Sequence, residues 1–293
     1  MTTKMFEVND IPGISLGDFL SINNFKSYFS DNYLLPMVGA IWSCSLNNAL
    51  DFPLKLFIKF FYHHGLLSVS NRPQWYVVEG GSSSYVPKLM ATLSGNCYLS
   101  TPVLSVLRRE DGVTVKSKNG EQDYDHIIMA CHSDQALRLL ADPTTAENDV
   151  LGSMKYQSND VILHTDKSIM PTNKKAWASW NFRLNDLEQQ RDQPALITYY
   201  MNRLQGLQED TDYLVSLNSR HLIDPALIID SYEYHHPVMD DELFNSQKRW
   251  GEISANSSTF ANTHYCGAYW HNAFHEDGVH SALNVCESFG ISL

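Results

Sequence analysis

The stretch Gly267-Ala-Tyr-Trp-His-Asn-Ala-Phe-His-Glu-Asp-Gly-Val-His-Ser281 places a glycine-led aromatic segment directly before Glu-Asp-Gly-Val. A second glycine signal, Val77-Val-Glu-Gly-Gly-Ser-Ser-Ser-Tyr-Val86, lies far earlier in the chain. Glycine lets the backbone approach a ligand closely, and the free amides at a helix N-terminus attract negative charge. Two such segments, widely separated in sequence, predict a chain that folds around a large cofactor from two sides.

Composition and charge limit the class of protein. The 293-residue chain is 43% hydrophobic and 18% charged, as expected of a folded protein with a substantial core. A formal charge of −12 argues against nucleic-acid binding, which needs basic patches. The apolar run over residues 54–62 is interrupted by lysines and is too short to cross a membrane. No signal peptide is visible, and the five widely spaced cysteines indicate reduced thiols, so we expect a cytoplasmic protein.

Hydrophobic periodicity predicts an α+β fold. Residues 14–70 have apolar side chains at helical spacing, including a helix over residues 54–64 that ends at Gly65. Residues 75–78 are predicted to form a strand that leads through Gly80-Gly81 into a helix over residues 83–93. A hairpin is predicted around the turn Glu110-Asp-Gly112, between strands over residues 103–109 and 113–117.

The rest of the chain is predicted to alternate strands with fewer helices. The apolar run over residues 124–131 is typical of a buried parallel strand, and Ser133 is predicted to cap the following helix. Further strands are expected over residues 160–164, 176–180, 195–201 and 213–217. A final helix is expected around residues 279–288.

Each glycine signal also has a purely structural explanation. Gly80-Gly81 with its serines suits a phosphate site, and equally a tight strand-to-helix turn with serine caps. Residues 276–279 suit amide donation to a heterocycle, and equally an acidic first turn of the last helix. Without further support, the structural explanation is the better one at both places.

Two other chemistries have weaker support. Several metal-binding residue types crowd one segment, but their spacing matches no closed zinc pattern, so a metal site is the minor alternative. These residues are His264, Cys266, His271, His275 and His280. A serine nucleophile has no Gly-x-Ser-x-Gly elbow to support it.

Together, the two glycine signals resemble the cofactor motifs of the flavin-containing amine oxidase superfamily. The last family motif, Gly-Tyr-x-Glu-Gly-Ala-x-x-Ser-Gly, is similar to residues 273–282, where Glu276 and Ser281 match and Asp277-Gly278 stands at the Gly-Ala pair. Residues 101–103, the hairpin and residues 125–130 resemble the adenine-side segment of the family.

Over nearly its whole length the chain is similar to a subgroup of NAD/FAD-binding oxidoreductases associated with cyclopropane-fatty-acid synthases. The segments that carry this resemblance are residues 33–43, 64–67, 73–75, 80–82, 163–166, 170–171, 176–181 and 267–270. One departure stands out. Family members begin with a strand–Gly-x-Gly-x-x-Gly–helix unit, and no such fingerprint occurs in this sequence. We therefore expect an N-terminally incomplete FAD/NAD(P)-binding amine-oxidase-like fold, whose missing unit is supplied by a partner polypeptide or lost from a truncated chain.

The resemblance implies FAD as cofactor and two interleaved domains. Residues 1–70 and 146–255 would form a mixed-sheet and helical substrate-binding domain, and residues 71–145 and 256–293 a partial α/β FAD-binding domain. The cofactor-binding residues it implies are Gly80, Gly81, Ser82, Val103, Gly267, Glu276, Asp277, Gly278 and Val279. Amine oxidases often place a lysine near flavin N5. Lys155 and Asn159 fit that position about equally well here, so no catalytic residue is assigned.

The activity implied is hydride transfer from a substrate carbon to the flavin. The substrate would be a small molecule, with a fatty-acyl or other lipid group suggested by the associated synthases. The alternative is a truncated, non-catalytic fragment or an interaction subunit with the same fold.

Overall fold

The computed structural model describes residues 13–68, 70, 73–184, 191–254 and 262–292. The chain divides into two units that alternate along the sequence. Unit 1 comprises Met1–Ser94 and Ser158–His236, and unit 2 comprises Gly95–Gln157 and Pro237–Leu293. These boundaries differ from the predicted ones at residues 70, 145 and 255. The substrate and cofactor roles assigned to the two domains stay predictions.

The described residues form short helices and strands. The α-helices are α1 (Leu16–Ile22), α2 (Ser27–Phe29), α3 (Leu35–Trp42), α4 (Leu46–Asp51), α5 (Leu54–His63), α6 (Val86–Met90), α7 (Ser133–Leu139), α8 (Thr145–Gly152), α9 (Met201–Gln205), α10 (Asp241–Gln247), α11 (Trp250–Ile253) and α12 (His275–Ser288). The strands are β1 (Val103–Arg109), β2 (Gly112–Ser117), β3 (Gly120–Tyr124), β4 (Ile127–Met129), β5 (Tyr156–His164), β6 (Trp180–Phe182), β7 (Ile197–Tyr200), β8 (Leu214–Leu217), β9 (Ile228–Pro237) and β10 (Thr263–Tyr265).

The first part of unit 1 is helical, as predicted. Ser15 caps α1, because its hydroxyl accepts from Asp18 N at 3.0 Å while the Asp18 carboxylate accepts from Ser15 N at 3.2 Å. Helix α5 ends at His63, and Gly65 follows with φ of +65°, which confirms the predicted helix end. Trp42 packs against Phe52 and Phe60, with ring centroids 4.4 Å and 4.8 Å apart. Aromatic packing therefore forms the core of this helical part.

A five-stranded sheet with the order β6-β7-β8-β5-β9 forms the other part of unit 1. The adjacent residues Val161 and Ile162 of β5 belong to different buried clusters. Because successive side chains of a strand point to opposite faces, this sheet is buried on both sides at β5. The strands predicted over residues 160–164, 195–201 and 213–217 are confirmed. The strand predicted over residues 176–180 is wrong: Asn173 caps a 3₁₀ turn at Lys174–Ala176, and β6 begins only at Trp180.

The segment before Gly80 differs from its predicted structure. Residues 75–78 form no strand with any described residue, and the side chains of Trp75 and Tyr76 are 62% and 85% exposed. An extended segment becomes a strand only when a neighbour pairs with its backbone, which sequence periodicity does not reveal. The predicted helix over residues 83–93 is shorter, with a 3₁₀ turn at Ser82–Tyr85 that leads into α6.

Unit 2 contains the predicted hairpin. Strands β1 and β2 pair antiparallel up to Arg109 and Gly112, and β3 continues the sheet after the turn at Asn119-Gly120. Gly112 is required because a Cβ there would overlap the carbonyl of Tyr124.

The strand predicted over residues 124–131 is divided into two pieces. Tyr124 ends β3, and β4 pairs in parallel with β10 from the far end of the chain. Ile128 of β4 is 49% exposed, so this strand is parallel, as predicted, but buried on one face only.

The helices of unit 2 also begin earlier than predicted. Helix α7 begins at Ser133, so that His132 and not Ser133 is the N-cap residue. Gln135 Oε1 accepts from His132 N at 3.3 Å. Helix α12 begins at His275, about one turn before the predicted start at residue 279. Residues 276–279 therefore lie inside the first turn of α12.

A buried ion-pair network connects three elements of unit 2. Arg108 of β1 donates to Glu147 of α8 at 2.5 Å and to Asp142 at 3.1 Å, and its side chain is fully buried. Tyr265 of β10 donates its hydroxyl to Glu147 at 2.6 Å. Burial alone would raise the pKa of Glu147, but hydrogen bonds from Arg108 and Tyr265 outweigh it and lower that pKa. Glu147 therefore stays ionised and fixes β10 to the hairpin.

Candidate functional site

In unit 2, the parallel strands β4 and β10 end on the same side of their two-stranded sheet. Both strands run in the same direction, and Cys266 N donates to Met129 O at 3.1 Å just beyond the pair. The chain leaves β4 toward α7 and leaves β10 toward α12. In open α/β arrangements, ligands bind at the carboxyl ends of parallel strands, where such connections begin. The residues after β10 are therefore the candidate site, and we call residues 267–272 the 267–272 loop.

The 267–272 loop folds closely on itself. A 3₁₀ turn covers Ala268–Trp270, and the buried Tyr269 ring lies against the backbone of Gly267. A Cβ at Gly267 would overlap that ring. Burial raises the pKa of the Tyr269 hydroxyl, so it stays protonated. Glycine is thus required at residue 267 by the packing of the loop, whatever the loop binds.

Ser281 connects the 267–272 loop to α12. Its hydroxyl accepts from Gly267 N at 2.8 Å and donates to Gly278 O at 2.8 Å, and the side chain is buried. Ala268 N lies 3.9 Å from where a Cβ of Gly278 would stand. The motif residues Gly267, Gly278 and Ser281 are therefore brought together by hydrogen bonds and close packing.

Gln247 of α10 contacts the 267–272 loop, and the sequence did not indicate this contact. Its side-chain amide donates to Tyr269 O at 2.9 Å and to His271 O at 2.6 Å. Trp250 of α11 donates its indole N–H to Tyr265 O at 2.9 Å. Side chains of α10, α11 and α12 thus bond to the backbone from the end of β10 through the 267–272 loop. No sequence motif marks Gln247, since its partners lie more than twenty residues away.

The first turn of α12 contains the other predicted residues of this segment. The Asp277 carboxylate accepts from Phe274 N at 2.9 Å, so Asp277 serves as a helix cap. The side chains of Glu276 and Val279 are exposed. Helical geometry leaves the amides of Glu276 and Asp277 without intrahelical acceptors, whereas Gly278 N donates to Phe274 O at 3.3 Å. These amides can donate to a ligand, while the capping role of Asp277 is explained by the fold alone.

In unit 1, the glycine pair has a different character. Gly80 and Gly81 have φ of +78° and +82°, a conformation that favours glycine. A Cβ on Gly81 would meet no atom within 4 Å. No side chain caps the 3₁₀ turn that begins at Ser82, and Ser84 donates instead to Glu79 O at 3.3 Å. The backbone here is bare and open, which suits close approach of a ligand.

Val103, Lys155 and Asn159, the other positions considered in the sequence, show no feature that marks a ligand site. Val103 is the first residue of β1, pairs with Ser117 and is 37% exposed. Lys155 is exposed and forms an ion pair with Glu242 at 2.6 Å, and the hydrogen bond and charge of Glu242 raise its pKa. Asn159 is buried, and its side chain contacts His236 at 3.0 Å and Asn218 at 2.9 Å. Neither Lys155 nor Asn159 is thereby marked as a catalytic group.

The metal alternative gains no support from the geometry. Within residues 13–68, 70, 73–184, 191–254 and 262–292, no three histidine, cysteine or acidic side chains are arranged to hold a metal ion. The rings of His271 and His280 stack with centroids 4.5 Å apart. Two of the crowded histidines thus contact each other face to face.

One buried serine–histidine pair occurs in unit 1, and its hydrogen bonds exclude a nucleophilic role. Asp166 N donates to His164 Nδ1 at 3.1 Å, which places the imidazole proton on Nε2. His164 Nε2 then donates to Ser216 Oγ at 2.8 Å, and Ser216 contacts Thr198 at 2.7 Å. Because the imidazole is the donor, it cannot remove the proton of Ser216. This network supports the sheet.

To hold a flavin, a site needs hydrogen-bond donors that match the flavin acceptors and room beside the backbone. In unit 1 the turn at Gly81 leaves space beside its backbone, although Gly81 N itself donates to Val78 O at 2.9 Å. In unit 2 the first amides of α12 lie at a helix N-terminus, next to the carboxyl ends of β4 and β10. FAD offers ring carbonyls, the unprotonated ring nitrogens and phosphates, which accept hydrogen bonds. The residues present fit such a group. Among the described helices, none is long and apolar enough to span a bilayer.

Comparison with known proteins gives a family and a fold. The sequence profile of the family described as flavin containing amine oxidoreductase matches residues 10–218, most of the chain. In structure, the chain is similar to a CLA-producing fatty acid isomerase from P. acnes, with TM-score 0.66 and 12% identity over 97% of this chain and 69% of that one. A comparison with curated proteins gave no match.

Two amine oxidases have a similar fold. A putrescine oxidase variant with redesigned cofactor binding matches with TM-score 0.62 and 14% identity, over 96% of this chain and 69% of that chain. Cyclohexylamine oxidase from Brevibacterium oxydans matches with TM-score 0.55 and 12% identity, over 95% of this chain and 68% of that chain. The predicted amine-oxidase-like α+β fold is therefore confirmed. At these identities, the structural likeness concerns the fold alone.

Proposed function

Because the chain belongs to the flavin-containing amine oxidoreductase family, we propose that it binds FAD and transfers a hydride from a substrate carbon to the flavin. The observation that carries this proposal is the family match over residues 10–218. Bound flavin would supply the hydride-accepting ring, and the protein would bind it, orient the substrate and exclude water.

The described residues support this role in each unit. In unit 1, the bare turn at Gly80, Gly81 and Ser82 would contact the cofactor through backbone atoms. In unit 2, the 267–272 loop and the amides of Glu276 and Asp277 in α12 would donate to it. Gly278 and Val279 would line the same turn, since Gly278 N donates to Phe274 O at 3.3 Å, and Val103 would lie toward the adenine. These assignments combine the family resemblance with the positive-φ turn at Gly80 and Gly81 and with the N-terminus of α12.

For the substrate we propose a fatty-acyl or other lipid group. The resemblance to oxidoreductases associated with cyclopropane-fatty-acid synthases supports this choice, as does the fold shared with a fatty acid isomerase. The amine oxidases of similar fold make a small amine the substrate class to test beside it.

A second candidate function is favoured by the exposed apolar segment of unit 1. Trp75, Tyr76 and Leu93 are 62%, 85% and 61% exposed in the segment that contains the glycine turn. Exposed apolar surface of this kind is typical of a contact with another chain. In this candidate, the chain is an interaction subunit or a fragment, and a partner polypeptide supplies a dinucleotide-binding unit.

A visible spectrum distinguishes the two candidates. The full chain, purified and titrated with FAD, should show flavin absorbance near one equivalent per chain, and denaturation should release it. Anaerobic addition of unsaturated fatty acids, or of putrescine, should then bleach the flavin band if hydride transfer occurs. A chain that takes up no flavin at saturating FAD refutes the enzyme candidate for this chain alone, and flavin uptake only after a partner is added supports the subunit candidate.

A further inference from the structure

Gln247 controls the direction of two peptide groups in the 267–272 loop. A glutamine side-chain amide has two N–H donors, and here one nitrogen contacts both Tyr269 O at 2.9 Å and His271 O at 2.6 Å. Both donors of Gln247 are therefore used on a single loop. A side chain with two such bonds fixes two peptide planes at once.

The direction of one amide follows from this contact. In a trans peptide, the carbonyl and the N–H point in opposite directions, and His271 O shares its peptide with Asn272 N. Because His271 O faces Gln247, the N–H of Asn272 points away from Gln247. Within the part of the chain that the structure describes, this N–H has no hydrogen-bond acceptor. By contrast, Trp270 N donates to Gly267 O at 3.2 Å.

We propose that Gln247 is a positioning residue, which orients the peptide between His271 and Asn272 so that Asn272 N–H can donate to the flavin. This inference rests on the proposed function. Gln247 itself does not touch the cofactor. It acts through the loop, and it lies outside both the glycine motifs and the family match over residues 10–218.

The rest of the loop limits how far a change at Gln247 spreads. Gly267 N remains bonded to Ser281 at 2.8 Å, and the Tyr269 ring remains buried against Gly267. Loss of the Gln247 bonds therefore frees the far end of the loop and leaves the end next to β10 in place. The effect on flavin binding should exceed the effect on overall stability.

Two variants and a matched control test this role in the full chain. Gln247→Glu keeps the shape but replaces donors with acceptors facing two carbonyls, and Gln247→Met keeps the length without any donor. Gln208→Glu is the control, because Gln208 is an exposed glutamine that donates to Gly206 O at 3.2 Å in unit 1. The measurements are FAD affinity by fluorescence titration, the visible flavin spectrum, the thermal midpoint, and hydrogen exchange of residues 267–272 without flavin.

We expect both Gln247 variants to bind FAD about 10-fold more weakly or worse, as two lost hydrogen bonds predict. Their flavin band should shift, and the loop amides should exchange faster, while Gln208→Glu matches the wild type. If exchange rises but FAD affinity and spectrum do not change, Gln247 is merely structural and the proposal is wrong. Unchanged exchange also refutes it. If the wild-type chain takes up no flavin, the proposed function itself fails, and the exchange data still report whether Gln247 fixes the loop.

Discussion

The two glycine segments of this chain differ in what makes glycine necessary. At Gly81 the backbone conformation requires it, and a Cβ would meet no atom within 4 Å. At Gly267 the packing requires it, because a Cβ would overlap the buried Tyr269 ring. One segment is an open turn, and the other is a loop fixed by side chains of two helices, Gln247 of α10 and Ser281 of α12. A similar sequence signal can therefore mark a surface available to a ligand or a tightly constrained support.

The 267–272 loop follows β10 directly, and β10 is fixed through Tyr265 to the buried ion pair of Arg108 and Glu147. Breaking this ion pair should therefore have the largest effect on the free energy of unfolding. Glu147→Gln removes the charge that Arg108 faces at 2.5 Å while their burial is unchanged. Removing one partner of a buried ion pair typically costs about 3–5 kcal/mol, and because Asp142 still faces Arg108 at 3.1 Å we expect the lower end of this range. We expect urea denaturation to show a loss of this size in the free energy of unfolding.

The control for this variant is an ion pair of similar length on the surface. Lys155 and Glu242 are both about 60% exposed and lie 2.6 Å apart, so Glu242→Gln should change stability by less than about 1 kcal/mol. Equal effects of the two substitutions would show that burial does not strengthen the Arg108 network.

Alanine substitutions at the two glycines test the comparison directly. Gly267→Ala forces a methyl group into the Tyr269 ring and should cost about 2–3 kcal/mol. Gly81→Ala meets no atom and should cost about 1 kcal/mol, the strain of a positive φ. Urea denaturation of both variants gives the difference, and a Gly81→Ala protein that is the less stable of the two would reverse our interpretation.

A smaller effect is expected where Ser281 connects the loop to α12. Ser281→Ala removes one acceptor and one donor, and should cost about 1–2 kcal/mol because Gly267 N loses its partner. Ser288 is an exposed residue of the same helix whose hydroxyl donates to Val285 O at 2.6 Å, so Ser288→Ala should cost about 0.5 kcal/mol or less. Hydrogen exchange of Gly267 should rise in the first variant only.

Turn residues and apolar runs predicted those strands and turns whose formation depends on neighbouring residues in the sequence. The Asp-Gly turn correctly predicted the β1–β2 hairpin, and the apolar runs correctly predicted β5, β7 and β8. Strand β9 was missed, because most of its side chains are exposed on both faces and show no apolar alternation. The strand expected over residues 75–78 was wrong, since no described neighbour pairs with it.

The candidate site was predictable only in part, for a related reason. Gly267, Gly278 and Ser281 lie within one short segment, so a sequence motif can contain all three. The supports of that segment come from distant parts of the chain: Arg108 and Glu147 are 39 residues apart, and Tyr265 lies 118 residues from Glu147. Such pairings depend on tertiary structure, and no spacing rule identifies them.

A further small effect that we predict is one of pH on β10, next to the constrained loop. His264 is buried on β10, and its Nε2 lies 3.4 Å from Nδ1 of the exposed His126. Burial, and secondarily the charge of His126, lowers the pKa of His264. The unfolded chain therefore takes up a proton below about pH 6.5 while the folded chain does not, so stability falls as the pH drops from there toward the lowered pKa.

Between pH 7.5 and 5.5 we expect a loss of about 1 kcal/mol from this residue, measured by urea denaturation at each pH. His264→Phe should flatten that part of the pH dependence, because the aromatic ring stays while the titrating group is lost. His164 provides the comparison from unit 1: burial lowers its pKa as well, so its contribution should persist in the His264 variant. The protection factors of the 267–272 loop amides, which are corrected for the intrinsic exchange rate at each pH, should fall at pH 5.5 in the wild type and stay unchanged in His264→Phe. If the loop amides respond to acid equally in both proteins, β10 does not transmit the titration of His264 to the loop.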